Sequence, residues 1–193
     1  MPLQGIWELV DGELIELSPA SGRSSRIGGR LYARLADFVE PSGLGWAFPA
    51  ETGFILFEDR QTVRSPDASV VLRDRLIEPP DSFVPIAPDL AVEVLSPSDR
   101  MADALAKVAM YLQAGARLVW LVNPATRTIV VFQSETDPVM LSEGIPSRAA
   151  TSFPTLRYRS RRSLPELRQR SRSGPAGRRG RCEGCAKCRR RPL

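Results

Sequence analysis

Asp67, Glu93 and Lys107 are the residues whose types and setting could do chemistry. Glu93 interrupts Leu-Ala-Val-Glu-Val-Leu, an otherwise apolar run. An ionised carboxylate in a dry interior costs several kcal/mol, roughly, unless paired or metal-bound. Two readings stand side by side: a strand end where Glu93 meets solvent or an arginine, or a functional site. Asp67 follows Ser65-Pro66 and opens the apolar stretch 68–72, where it would stand at the mouth of a sheet. The plain alternative is an ordinary strand-opening aspartate. Two carboxylates on neighbouring strands can share one magnesium ion, which takes hard oxygen ligands. Lys107 and Lys187 are the only lysines among 27 basic residues. Lysine is a compact point charge where arginine is a planar fork. Asp103, four residues earlier, offers Lys107 an ordinary helix-surface partner instead.

Absences narrow the chemistry. With no histidine, Ser-His-Asp and Cys-His catalysis and histidine metal sites are excluded. The three cysteines are Cys182, Cys185 and Cys188, so residues 1–143 carry no thiol chemistry. The spacing suits thiolate ligation of a metal, but a fourth cysteine and any histidine are lacking, so no metal site is expected there.

These side chains need a scaffold, and residues 6–143 read as one α/β domain. Residues 7–10 and 13–17 form a hairpin around Asp11-Gly12. Residues 21–40 form a helix with Ile27, Leu31, Leu35 and Phe38 (with Val39) on its apolar face. Strands follow at 45–49, 52–57 and 68–72, then a proline-marked loop. The run 90–95 is a central strand covered on both faces, opened by Asp89. A helix capped by Ser98 or Asp99 runs to about 114, where Gly115 stops it. Strands 117–122 and 128–132 complete a single mixed sheet with one helix on each side. No apolar run spans a bilayer, and no signal peptide is expected in residues 1–12, so the cytoplasm is the default location.

Charge divides the chain. Residues 1–146 hold 12 Lys+Arg against 20 Asp+Glu, net −8, and residues 147–193 hold 15 against 2, net +13. The acidic body does not advertise a broad phosphate-binding face. Residues 144–193 read as an Arg- and Pro-rich disordered tail. Its arginines suit nonspecific nucleic-acid binding, but Phe153 and Tyr158 are its only aromatic residues, too few for base stacking.

Pro66-Asp67, then Pro88-Asp89-Leu-Ala-Val-Glu93-Val-Leu-Ser-Pro-Ser-Asp99, then Lys107, Tyr111, Gly115 and Val119-Trp120-Leu-Val-Asn-Pro124 resemble the Uma-two family of restriction endonucleases, within the PD-(D/E)XK superfamily. Trp7-Glu8-Leu-Val-Asp-Gly12-Glu13, Ser18-Pro19 and Glu51-Thr52-Gly53-Phe54 also match, so the likeness covers residues 7–132. It implies a restriction endonuclease-like mixed β-sheet flanked by helices. It implies a divalent-metal-dependent endonuclease, with Asp67 and Glu93 on a magnesium or manganese ion. The superfamily lysine would fall at Leu95, which cannot serve; the family displaces it to the next helix, where Lys107 fits. Glu13 and Glu51 sit at recurring family positions and are supporting candidates. The partner implied is nucleic acid, DNA ahead of RNA, and a homodimer follows by analogy. A noncatalytic DNA-binding or interaction module on the same fold is the alternative.

Family members close with a Leu-Pro-x-Phe stretch, whereas this chain reads Gly144-Ile-Pro-Ser-Arg-Ala-Ala-Thr-Ser-Phe-Pro-Thr-Leu156. A frameshift near Gly144 accounts for this and for the Arg-rich tail, and an inactive product is the third reading. Reading the gene one base out of phase tests it: no family-like ending in either other frame sinks it.

Overall fold

The computed structural model describes residues 5–142. The tail, its cysteines and the proposed frameshift lie outside the described residues. Strand β1 (Ile6–Val10) and strand β2 (Glu13–Leu17) pair antiparallel around Asp11 and Gly12, whose φ of 49° and 83° suit a tight hairpin. Helix α1 (Gly22–Val39) starts at Ser21, whose hydroxyl accepts from the Ser24 N–H at 3.2 Å. Ile27, Leu31, Leu35 and Val39 face the core at four-residue spacing. Phe38 does not: it is 64% exposed, because it lies one residue, about 100°, off that line. The remaining elements are β3 (Gly45–Pro49), β4 (Phe54–Phe57), β5 (Thr62–Arg64), β6 (Ala68–Leu72), β7 (Leu90–Val94), α2 (Met101–Gln113), β8 (Leu118–Asn123), β9 (Thr128–Phe132) and β10 (Val139–Ser142).

The expected single sheet is two. An antiparallel sheet runs β2-β1-β5-β4, and a mixed sheet runs β10-β9-β8-β7-β6-β3. The split turns on β5, three residues long and too short to show alternation. It is a strand because Val63 pairs with Leu9 on one side and Ile55 on the other. The one parallel step, β7 to β8, is bridged by α2. Strand β7 is buried along its whole length, as its apolar run implied. Val70, Val92 and Val122 face α1; Val71, Ala91, Val119 and Leu121 face Ala104, Val108 and Tyr111 of α2. The two helices therefore cover opposite faces of the larger sheet.

Ends of elements are held locally. Asp89 opens β7 as expected; its carboxylate accepts from the Leu72 N–H at 2.9 Å and meets Arg75 at 3.2 Å and Arg117 at 3.0 Å. Neither Ser98 nor Asp99 caps α2. The cap residue is Arg100 with no side-chain bond, and the Asp99 carboxylate instead accepts from the Ser96 N–H at 2.7 Å, closing the turn before the helix. Gly115, at φ 97°, ends α2: its N–H bonds Leu112 O and the Ala116 N–H bonds Tyr111 O. No described helix is long and apolar enough to cross a membrane.

Gly45 lets β3 lie close against β6. A Cβ there would stand 2.2 Å from the Val71 carbonyl oxygen, a backbone atom that cannot turn aside. Gly45→Ala is expected to lower unfolding free energy by about 1–3 kcal/mol in urea titration. An unchanged midpoint would show that the edge strand shifts freely.

Candidate active site

The antiparallel pairing Ala68↔Val92, carried one step further, sets Asp67 opposite Glu93. Glu93 alternates to the face away from Val92, toward α2. Asp67 is half-buried, and its Oδ2 accepts from the Val94 N–H at 2.7 Å. From the other face α1 closes on it: a Cβ at Gly28 would lie 3.3 Å from the Asp67 Cβ, so glycine there lets the helix reach the strand end. Glu93 is 9% exposed. Its Oε1 accepts from the Tyr111 hydroxyl at 2.9 Å, and its Oε2 lies 3.4 Å from Lys107 Nζ. Lys107 and Tyr111 are four residues apart on α2, so one helical face brings both to the same carboxylate. Lys107 takes Glu93, not Asp103, as its partner.

A third carboxylate completes the cluster. Glu8 on β1 is 2% exposed. Its Oε2 receives the Arg64 guanidinium and lies 3.6 Å from Lys107 Nζ; its Oε1 accepts from the Ser65 N–H at 3.0 Å. The smaller sheet thereby grips both the lysine and the segment leading into Asp67. Glu8 was legible only as part of a motif. The signal available was its place between Ile6 and Val10 on one face of β1. Arg64 and the phenol of Tyr111 are the other members that sequence reasoning left without a role. Glu13, beside the hairpin turn, and Glu51, at φ 70° in the turn after β3, are exposed. No hydrogen bond or ion pair among the described residues ties either to the cluster.

A cleft of about 460 Å³ has Glu93, Lys107 and Arg64 in its wall, with Ile15 and Leu17 from β2, and Asp99, Arg100 and Asp103 at the entry to α2. Glu8, Asp67 and Glu93 outnumber Arg64 and Lys107. Burial, with Asp67 and Glu8 nearby, pushes the Glu93 carboxyl up to about 7, against the pull of Lys107 and the Tyr111 hydroxyl. Burial also raises Asp67, tempered by the Val94 N–H and Lys107. Burial alone would lower Lys107, but Glu93 and Glu8 outweigh it, and its ammonium is held more firmly than usual. Tyr111 is raised well above the ordinary phenol range by burial, then by Glu93 and Glu8, so it remains a donor.

The donors suit a hard divalent cation. Among the described residues no group of three or more His, Cys, Asp or Glu could hold a metal, so a cation here would rest on the two carboxylates of Asp67 and Glu93. Magnesium is commonly held by one or two carboxylates, with water and substrate phosphate completing its shell. The surplus of carboxylate charge is what such an ion would offset. Because Glu93 is neutral below about 7, protons compete there with a cation. Mn²⁺ affinity, read by calorimetry, is expected to rise roughly tenfold per pH unit below that point and level off above it. A flat profile from pH 5.5 to 8 would remove Glu93 from the donor set.

A family model described as "Putative restriction endonuclease", Uma2, matches residues 2–159. A putative nuclease from Anabaena variabilis has a similar solved structure, with TM-score 0.63 and 23% identity over 78% of this chain and 88% of that one. A chain of the DrdV–DNA complex aligns with TM-score 0.37 and 12% identity over 61% of this chain and 10% of its own, too loosely to bear on the site. No protein of curated function matches.

Proposed function

The chain belongs to the Uma2 family of restriction endonuclease-like proteins, and from that premise we propose that it is a divalent-metal-dependent endonuclease acting on DNA ahead of RNA. The observation that carries this is Glu93 and Lys107 meeting at 3.4 Å in one cleft, with Asp67 on the neighbouring strand end bound to the N–H of Val94, the residue after Glu93. A magnesium or manganese ion held by Asp67 and Glu93 would polarise the scissile phosphate and acidify a water. Lys107, kept protonated between two carboxylates, neutralises charge that builds on the phosphate as the bond to the leaving oxygen breaks. Tyr111 and the Val94 N–H hold the two carboxylates in place, so little reorganisation is needed during reaction. Glu8 and Arg64 fix the lysine and the Ser65–Asp67 segment.

The test is cleavage of supercoiled plasmid and of a labelled RNA by the full chain with Mg²⁺, with Mn²⁺ and with chelator. Nicked or linear plasmid is expected with either metal and none with chelator. Intact DNA and RNA under every condition would leave a noncatalytic binding module on this fold, or an inactive frameshift product, as the readings.

A further inference from the structure

Net charge hides a local concentration of arginine. Arg23, Arg26, Arg30 and Arg34 follow at spacings of three, four and four on α1, which places them within an arc of about 80°. All four are exposed. None forms an ion pair among the described residues, and Arg23 donates to the Pro124 carbonyl at 2.7 Å. The helix carries no acidic residue before Asp37. The row extends about 16 Å along the axis. Beside it runs a strip of small residues, Gly22, Ser25, Gly29 and Ala33.

Gly29 is informative because packing does not explain it. Gly28 is needed where α1 meets Asp67, but a Cβ on Gly29 would meet nothing within 4 Å. Glycine disfavours helix, and an exposed one keeps the surface flat for a partner that comes close. The row also begins at the site's end of the sheet. Arg23 reaches the turn between β8 and β9, and β8 runs parallel to β7 toward the end where Glu93 and Val94 lie.

We propose that this face of α1 docks the phosphate backbone of a nucleic acid, with the four arginines on successive phosphates and the small-residue strip allowing close approach. Guanidinium groups suit phosphate through paired hydrogen bonds. The inference takes its partner class from the nuclease reading but is tested by binding alone.

Anisotropy of a labelled duplex of about two helical turns, with the full chain in EDTA and varied salt, reads it out. Both proteins carry the same tail, so its contribution cancels in the difference. Arg26→Gln, Arg30→Gln and Arg34→Gln together are expected to weaken affinity at least tenfold and to flatten the slope of log Kobs against log salt by about 2 to 3. Gly29→Glu is expected to weaken binding without lowering the melting temperature. Unchanged slope and affinity in the triple variant would overturn the proposal. So would loss of binding to anionic phosphatidylserine vesicles with duplex binding intact, which assigns the face to a membrane surface. A chain that binds duplex through α1 yet cleaves nothing supports this inference and removes the hydrolytic one.

Discussion

Glu93→Gln is expected to reduce metal-dependent cleavage on the order of 10³-fold or more, without lowering the stability of the metal-free protein at pH 8. Loss of one charged group from a preorganised site commonly costs about 10²–10³ in rate, and Glu93 is also half of the proposed metal-binding pair. Stability moves the other way because Glu93 is held near 7 by its surroundings, against an ordinary 4.5. The fold prefers its neutral form, so its contribution to stability is full below pH 4.5 and is lost as pH rises through about 7. Glutamine is neutral at every pH and retains an oxygen for the Tyr111 hydroxyl. Thermal unfolding and plasmid cleavage on the same preparation decide the matter. Activity within tenfold of the parent would remove Glu93 from the mechanism. A collapsed melting temperature would show that its charge is needed structurally, through Lys107.

Arg64→Met is expected to cost about 3–5 kcal/mol of stability. The side chains of Arg64 and Glu8 are 9% and 1% exposed, so deletion of the guanidinium strands a buried carboxylate. Lys107 at 3.6 Å offsets part of this and already serves Glu93. Adding Glu8→Gln is expected to restore most of the loss, since the amide oxygen still accepts from the Ser65 N–H while the stranded charge is gone. Urea titration of both single variants and the double closes the cycle. A cost below about 1 kcal/mol for Arg64→Met, or no recovery in the double, would mean the pair is relaxed by water and does not brace the site.

Much of the scaffold was legible along the chain because its causes are local. The Asp11-Gly12 turn, the four-residue rhythm of α1, the Gly115 stop and the apolar run of β7 each rest on dihedral preference or periodicity within a few residues. Glu93 stood out for a local reason too, as a carboxylate where its neighbours require burial. Lys107 was marked by its rarity in the body and by the family pattern. The choice of Ser98 or Asp99 as the α2 cap failed on a competing local bond, the Ser96 N–H taking the Asp99 carboxylate.

Other features depend on contacts between distant residues. Strand β5 exists because Val63 finds Leu9 and Ile55, and with it the fold divides into two sheets. Glu8 and Arg64 are 56 positions apart, and neither residue's neighbours announce the other. Glu13 and Glu51 have the same side chain as Glu8 and Glu93, yet they face solvent, because register and turn geometry decide which glutamates enter the cleft. The acidic total of the body concealed the α1 arginines for a related reason: a sum over residues discards direction. The sequence alone determined most of the elements, though not β5 or β10, and the two carboxylates and lysine worth watching. The tertiary structure decided which charges meet in a low-dielectric cleft, because that depends on strand register and helix facing across the whole chain.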